Sequence, residues 1–120
     1  MASRRIRFGF AGIVAALLVA ACGAAFVAPE VDGDLVAIGQ ARWPDTTQTS
    51  LQAGRDVFTA SCGKGGLCHR LPTPRSRTEA QWGPIMDRMA RKAQLDPDRR
   101  ESVLRFILAV RDLPAQNPNP

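Results

Sequence analysis

Apolar residues recur at helical spacing in three segments between residues 50 and 113. Positions three and four apart share one face of a helix, whereas a half-buried strand alternates at every second residue. No segment of the chain alternates in that way. The pattern therefore predicts an all-α domain of about three helices.

The first predicted helix is SLQAGRDVFTAS, with Ser50 as its N-cap residue. Its apolar face consists of Leu51, Gly54 and Phe58, with Val57 beside them. The third predicted helix begins at Asp96, an N-cap residue that is followed by Pro97 in the first helical position. Its apolar stripe consists of Val103, Phe106, Ile107 and Val110.

The second predicted helix begins at Thr78, which forms a T-x-x-Q capping box with Gln81. Its apolar residues lie at i, i+3, i+4 and i+7, which are Trp82, Ile85, Met86 and Met89. Pro84 lacks an amide hydrogen, and we expect it to distort the early turns of this helix.

The N-terminal segment is typical of an exported protein. Arg4, Arg5 and Arg7 precede an uncharged run from Phe8 to Ala28. Within this run, Val19-Ala20-Ala21-Cys22 resembles a lipoprotein cleavage site, which predicts a signal peptide over 1–21 and lipid attachment at Cys22. Two alternatives stay open: the run persists as a membrane anchor to residue 28, or it is cleaved and the chain is released.

The remaining chain divides into a linker, one domain and a tail. Residues 22–49 contain Pro29, Gly33 and Pro44 without sustained periodicity, which predicts a linker from the membrane. Residues 50–113 form the domain, and the Pro/Asn-rich residues 114–120 form a disordered tail. Each reading of the N-terminus places the domain on the periplasmic side of a bacterial membrane.

Charge gives no indication of nucleic-acid binding. The net charge of the whole chain is +5, but residues 1–21 contribute three arginines and no acid. Thirteen basic and eleven acidic residues remain after cleavage, which leaves +2. No basic stripe interleaved with aromatic residues is present. The predicted location outside the cytoplasm also argues against a nucleic-acid-binding protein.

A domain this small often needs a disulfide, a metal or a bound group for stability. The segment CGKGGLCHR provides candidate residues for this at Cys62, Cys68 and His69. A zinc site would need a fourth ligand for which the domain offers no further Cys or His. A Cys62–Cys68 disulfide suits an oxidising compartment but leaves His69 unexplained. Covalent haem uses all three residues, since the segment approaches the C-x-x-C-H attachment pattern.

Gly54 to Asp112 resembles a small class I c-type cytochrome, a bacterial monohaem domain. Four parts carry the resemblance in order: the Gly54/Phe58 pair, CHRLP, RTEAQWGPIMDRMARKA and ESVLRFILAVRD. The resemblance implies a cytochrome c-like fold, with the Gly54/Phe58 helix crossing close to the last helix. It also implies one covalent haem c held by Cys62 and Cys68, with His69 as an iron ligand.

The cysteine spacing departs from this family. Five residues separate Cys62 from Cys68, whereas the family has two. Glycines at 63, 65 and 66 can adopt positive φ, so the extra residues have the freedom to bulge outward. We expect haem to be bound, and whether both cysteines form thioethers is left open.

The family pattern also implies a methionine as second axial iron ligand. Met89, which follows Arg88, matches the family position, and Met86 is the alternative; core packing is the plainer role for either. Trp82 is expected in the core, with its N–H a candidate partner of a haem propionate. The same role is open to Arg75 and Arg77. Pro72 or Pro74 is the expected carbonyl partner of the His69 ring.

The predicted function is single-electron transfer between redox proteins by a membrane-anchored, periplasmic cytochrome. The sequence contains no paired carboxylates, Ser-His-Asp set or phosphate loop that indicates an enzyme. Two alternatives remain: a non-haem lipoprotein adaptor closed by a Cys62–Cys68 disulfide, and a haem-based sensor with an open sixth site.

Overall fold

A computed structural model describes residues 26–62 and 70–115. Over these ranges the chain forms four α-helices and a short 3-10 turn, without a strand, which confirms the all-α prediction. The helices are α1 (Gly33–Arg42), α2 (Gln48–Cys62), α3 (Glu79–Ala93) and α4 (Pro97–Asp112), and the 3-10 turn is Pro74–Ser76. The predicted sites at Cys22, Cys68 and His69 lie outside the described residues, as do residues 116–120 of the predicted tail.

Two of the three predicted helix starts are confirmed. Thr78 accepts a hydrogen bond from the Gln81 amide and its own amide donates to the Gln81 side chain, which completes the capping box. Asp96 accepts from the Arg99 amide, and Pro97 opens α4.

The prediction of Ser50 as an N-cap residue is wrong. The helix α2 starts at Gln48, and the Thr47 hydroxyl accepts from the Ser50 amide at 3.1 Å. The Ser50 hydroxyl in turn accepts from the Thr47 amide at 3.0 Å, so the two side chains cap the helix reciprocally. Both residue types favour an N-cap, and sequence preference alone did not distinguish between them.

The helix α3 continues through Pro84, which lies in its second turn. It ends at Ala93 and is capped by Gln94, which adopts a left-handed conformation with φ 54° and donates its amide to carbonyls of the last turn. Trp82, Met86 and Ala90 are the buried residues of this helix.

The helix α4 lies at the centre of the fold and packs against the other three helices and the 3-10 turn. All four residues of its predicted stripe are buried, together with Leu108 and Ala109. The wider buried surface follows from this central position, because α4 meets neighbours on several sides.

The closest packing in the fold joins α2 to α4 at Gly54. A Cβ atom built at this position would lie 2.1 Å from the Ser102 carbonyl oxygen and 3.0 Å from the Phe106 Cβ. One turn further along each helix, the rings of Phe58 and Phe106 meet with their centroids 5.9 Å apart and tilted by 51°. Only glycine allows this separation, because any side chain would overlap the backbone of α4.

The predicted linker is partly wrong, because residues 26–47 belong to the folded domain. Asp32 caps α1 by accepting from the Leu35 amide at 2.9 Å. The Leu35 side chain is fully buried, and Val31 is 5% exposed in the same core. The helix has only two buried residues, so its sequence shows little apolar periodicity and its glycines and flanking prolines indicated a loop.

Residues 26–32, which we call the strap, lie extended before α1 and are tied to α2. The Arg55 guanidinium donates to the carbonyl oxygens of Pro29 at 2.7 Å and Ala28 at 3.2 Å, and it pairs with Glu30 at 2.9 Å. The Gln48 side-chain amide donates to the Val31 carbonyl at 3.1 Å. The strap therefore has a defined position on the domain.

The end of α1 is held by two arginines that stack on Trp43. Arg42 pairs with Asp112 at 2.7 Å and with Glu79, which joins α1 to the end of α4 and the start of α3. The Arg42 and Arg105 guanidinium carbons lie 4.9 and 5.3 Å from the centre of the Trp43 ring. The hydrogen bond to Asp112 is the main cause that raises the pKa of Arg42. The guanidinium stays charged at any physiological pH, which suits a permanent ionic contact.

We predict that Gly54→Ala lowers the free energy of unfolding by about 1–3 kcal/mol, because the added methyl group must push α2 away from α4. Gly33→Ala is the control, since a Cβ there meets nothing within 4 Å. Denaturant unfolding of both variants gives the comparison. Equal stability of the two variants would contradict the close helix crossing.

We predict that Leu35→Ala lowers the free energy of unfolding by about 2–5 kcal/mol, as expected for truncation of a fully buried side chain. Val27→Ala, at a side chain that is 79% exposed, should leave stability unchanged. Thermal and denaturant unfolding measure both. A Leu35→Ala variant as stable as the parent would restore the linker interpretation of this segment.

Candidate functional site

A cleft of about 230 Å³ lies where the C-terminal end of α2 faces α3 and the first half of α4. Cys62, the last residue of α2, lines it and is 7% exposed. Its other described lining residues are Val57, Ser61, Met86, Arg88, Met89, Lys92, Ala93, Leu95 and Val103. The structure therefore brings together one predicted haem cysteine and both candidate methionines.

Seven of the ten described residues that line the cleft are apolar, and its charged lining is cationic. Val57, Val103 and Leu95 provide aliphatic surface, while Arg88 and Lys92 are exposed on α3. Neither cation takes part in an ion pair with another described residue. No carboxylate or histidine is among the described residues that line the cleft. The site therefore suits a molecule that has both an apolar part and anionic groups.

Met86 and Met89 differ in burial although both line the cleft. The Met86 side chain is 1% exposed and belongs to the core, whereas Met89 is half-buried and packs against the edge of that core. Methionine sulfur is a soft donor for iron or copper. A half-buried thioether can contact a bound group without leaving the core open, so the geometry favours Met89 for this role and Met86 for packing.

Trp82 is a core residue with an internal hydrogen-bond partner. Its side chain is 1% exposed, and its indole N–H donates to the Pro74 carbonyl at 2.8 Å. Trp82 does not line the cleft. The indole N–H of Trp82 already has a hydrogen-bond acceptor, so it does not need a haem propionate as a partner.

Arg75 and Arg77 are also absent from the cleft. Arg75 lines a groove beside the strap. The Arg77 guanidinium donates to the neighbouring Ser76 carbonyl at 3.1 Å, and the Arg77 carbonyl accepts from Arg111 at 3.1 Å. The cations placed beside the cleft are instead Arg88 and Lys92.

Comparisons of the chain with protein-family models, curated proteins and solved structures give no match.

A cluster of three or more His, Cys, Asp or Glu side chains that could hold a bare metal ion does not occur within residues 26–62 and 70–115. Within the same ranges, no helix is both long and apolar enough to cross a bilayer. The described cleft brings cysteine and methionine sulfur together with aliphatic side chains.

Sequence reasoning identified the sulfur-bearing residues but did not place Arg88, Ser61 and Leu95 beside them. One sequence pattern could have predicted that Arg88 and Lys92 lie beside the cleft. Arg88 and Lys92 are four positions apart on α3, and Met89 lies between them, so a cleft at Met89 includes that edge of the helix. Leu95 follows the end of α3, and its position depends on the left-handed turn at Gln94.

Proposed function

We propose that this chain is a membrane-anchored, periplasmic c-type cytochrome that carries single electrons between redox partner proteins. The main supporting observation is that Cys62, at the end of α2, and Met89, on α3, line the same apolar cleft. The α2–α4 crossing at Gly54 is a second feature that the family resemblance implied and that the packing contains.

The residues of the cleft fit a covalently bound haem. Cys62 and Cys68 would attach the porphyrin, and His69 and Met89 would be the two axial iron ligands. Haem supplies an iron centre that exchanges one electron, and histidine–methionine ligation raises its potential. The apolar residues Val57 and Val103 suit the porphyrin faces, and Arg88 and Lys92 provide positive charge for its carboxylates.

The protein's own contribution is a buried floor for the site. Met86 is buried beneath the cleft, and Val103 is 1% exposed on α4, so the floor of the site belongs to the core. Such burial would limit the entry of water from this side to a haem bound in the cleft.

We predict that the protein, produced with a haem-maturation system, retains haem through denaturing electrophoresis and stains for peroxidase activity. Cys68→Ala should greatly reduce the retained haem, because this cysteine directly precedes the expected iron ligand His69. Ser61→Ala, a change at a neighbouring lining residue, should retain haem like the parent.

The pyridine haemochrome band position separates two thioethers from one. Cys62→Ala should shift this band if Cys62 normally reacts, and an unchanged band would show attachment through Cys68 alone. A colourless parent protein with a Cys62–Cys68 disulfide would refute the cytochrome proposal and support the lipoprotein adaptor.

We predict that Met89→Ala abolishes the weak near-infrared sulfur-to-iron band, lowers the reduction potential and allows carbon monoxide to bind. Met86→Ala is the matched variant on the same helix. It should keep the band but lower the free energy of unfolding by about 2–5 kcal/mol, because Met86 is almost fully buried.

The opposite pattern would assign the ligand to Met86. If neither variant changes the spectrum, both methionines are packing residues. Lys92→Ala then tests the other potential donor of the cleft, and an open sixth site would favour the sensor over the carrier.

A further inference from the structure

The strap carries an exposed apolar residue beside the N-terminal end of the described chain. Val27 is 79% exposed, and it is the one exposed large hydrophobic side chain within residues 26–62 and 70–115. Phe26 precedes it and is half-buried against the core. Both residues line a groove with Leu113 and Pro114 from the end of α4. An isolated exposed valine is ordinary, so its significance depends on what lies next to it.

The chain between this face and the predicted lipid site is short. Only Gly23, Ala24 and Ala25 separate Cys22 from Phe26. Four residue steps span at most about 14 Å even when fully extended. The strap itself cannot provide extra length while Arg55 and Gln48 hold its backbone. A lipid on Cys22 therefore leaves the strap face very close to the bilayer.

We propose that the strap face, formed by Phe26, Val27, Leu113 and Pro114, lies against the membrane surface with Val27 in contact with lipid. The inference rests on the membrane anchoring in the proposed function. The inference holds for a lipid on Cys22 and for a retained apolar segment, because either anchor would be connected to the domain through the strap.

The contact is expected to be apolar rather than electrostatic. The groove beside the strap is also lined by Glu30, Asp32 and Asp34 as well as by Arg55 and Arg75. Charges of both signs give no consistent attraction to anionic lipid. Apolar side chains at the level of the headgroups are the common feature of surfaces that rest on a bilayer.

This orientation leaves the sulfur-lined cleft open to a partner. Arg55 holds the strap, and Val57 lines the cleft. Cys62, which also lines the cleft, lies seven residues beyond Arg55, about 10 Å further along the axis of α2. Along α4, Val103 at the cleft and Leu113 at the groove are about 15 Å apart. The two surfaces share no described lining residue.

Photo-crosslinking in cells that produce the full chain tests this orientation. p-Benzoylphenylalanine is introduced at position 27 or, as the control, at position 99. Arg99 is exposed near the start of α4, about 21 Å along the helix axis from Leu113. We expect lipid adducts, detected by mass spectrometry, to be at least several-fold more abundant at position 27 than at position 99.

Membrane fractionation of the same samples separates the two levels of the proposal. A chain found in the soluble fraction refutes the anchor of the proposed function. A membrane-bound chain with equal lipid adducts at positions 27 and 99 refutes the orientation alone. Adducts of position 27 with a protein instead of lipid would assign the strap face to a protein partner and also overturn the inference.

A variant with ten Gly/Ser residues inserted after Ala24 tests the role of tether length. It should stay in the membrane fraction and show several-fold fewer lipid adducts at position 27, because the longer tether releases the domain. Unchanged adducts would show that the short tether is not what orients the domain. None of these readouts depends on haem, so they are independent of the spectroscopic tests.

Discussion

The close approach of α2 to α4 at Gly54 is the contact on which the other packing relations depend. A side chain at this position would overlap the Ser102 carbonyl, so glycine is what allows the two helices to meet. One turn further along each helix, the Phe58 and Phe106 rings pack against each other. With these two helices fixed, α4 is left with further apolar faces, against which α1, α3 and the 3-10 turn pack.

The crossing also determines which surfaces of α2 remain for other partners. The middle of α2 receives the strap through Arg55, and the C-terminal part of α2 borders the cleft through Val57, Ser61 and Cys62. The domain thus keeps its attachment to the N-terminal segment apart from its sulfur-lined site. For a protein held near a membrane, this separation allows a soluble partner to reach the site while the strap side is covered.

The cleft itself is formed by the ends of elements. Cys62 is the last residue of α2, Leu95 follows the turn that ends α3, and Val103 lies in the first half of α4. Met86 and Met89 occupy one side of α3, but packing buries them to different extents. Met86 belongs to the core, whereas Met89 is half-buried. A difference in burial, rather than in chemistry, therefore separates the proposed structural methionine from the proposed ligand.

The sequence by itself determined the all-α class, the starts of α3 and α4 and the apolar faces of three helices, because capping residues and apolar spacing act over a few neighbouring positions. It also identified Cys62, Met86 and Met89 as candidate site residues, because the ability of a side chain to provide a sulfur ligand depends only on the residue type. Tertiary structure decided that residues 26–47 join the domain, because Leu35 and Val31 find their apolar partners only once α4 is in place. It likewise decided the partner of the Trp82 indole and the position of Arg88 and Lys92 beside the cleft, since these contacts join segments whose separation in space no local pattern encodes.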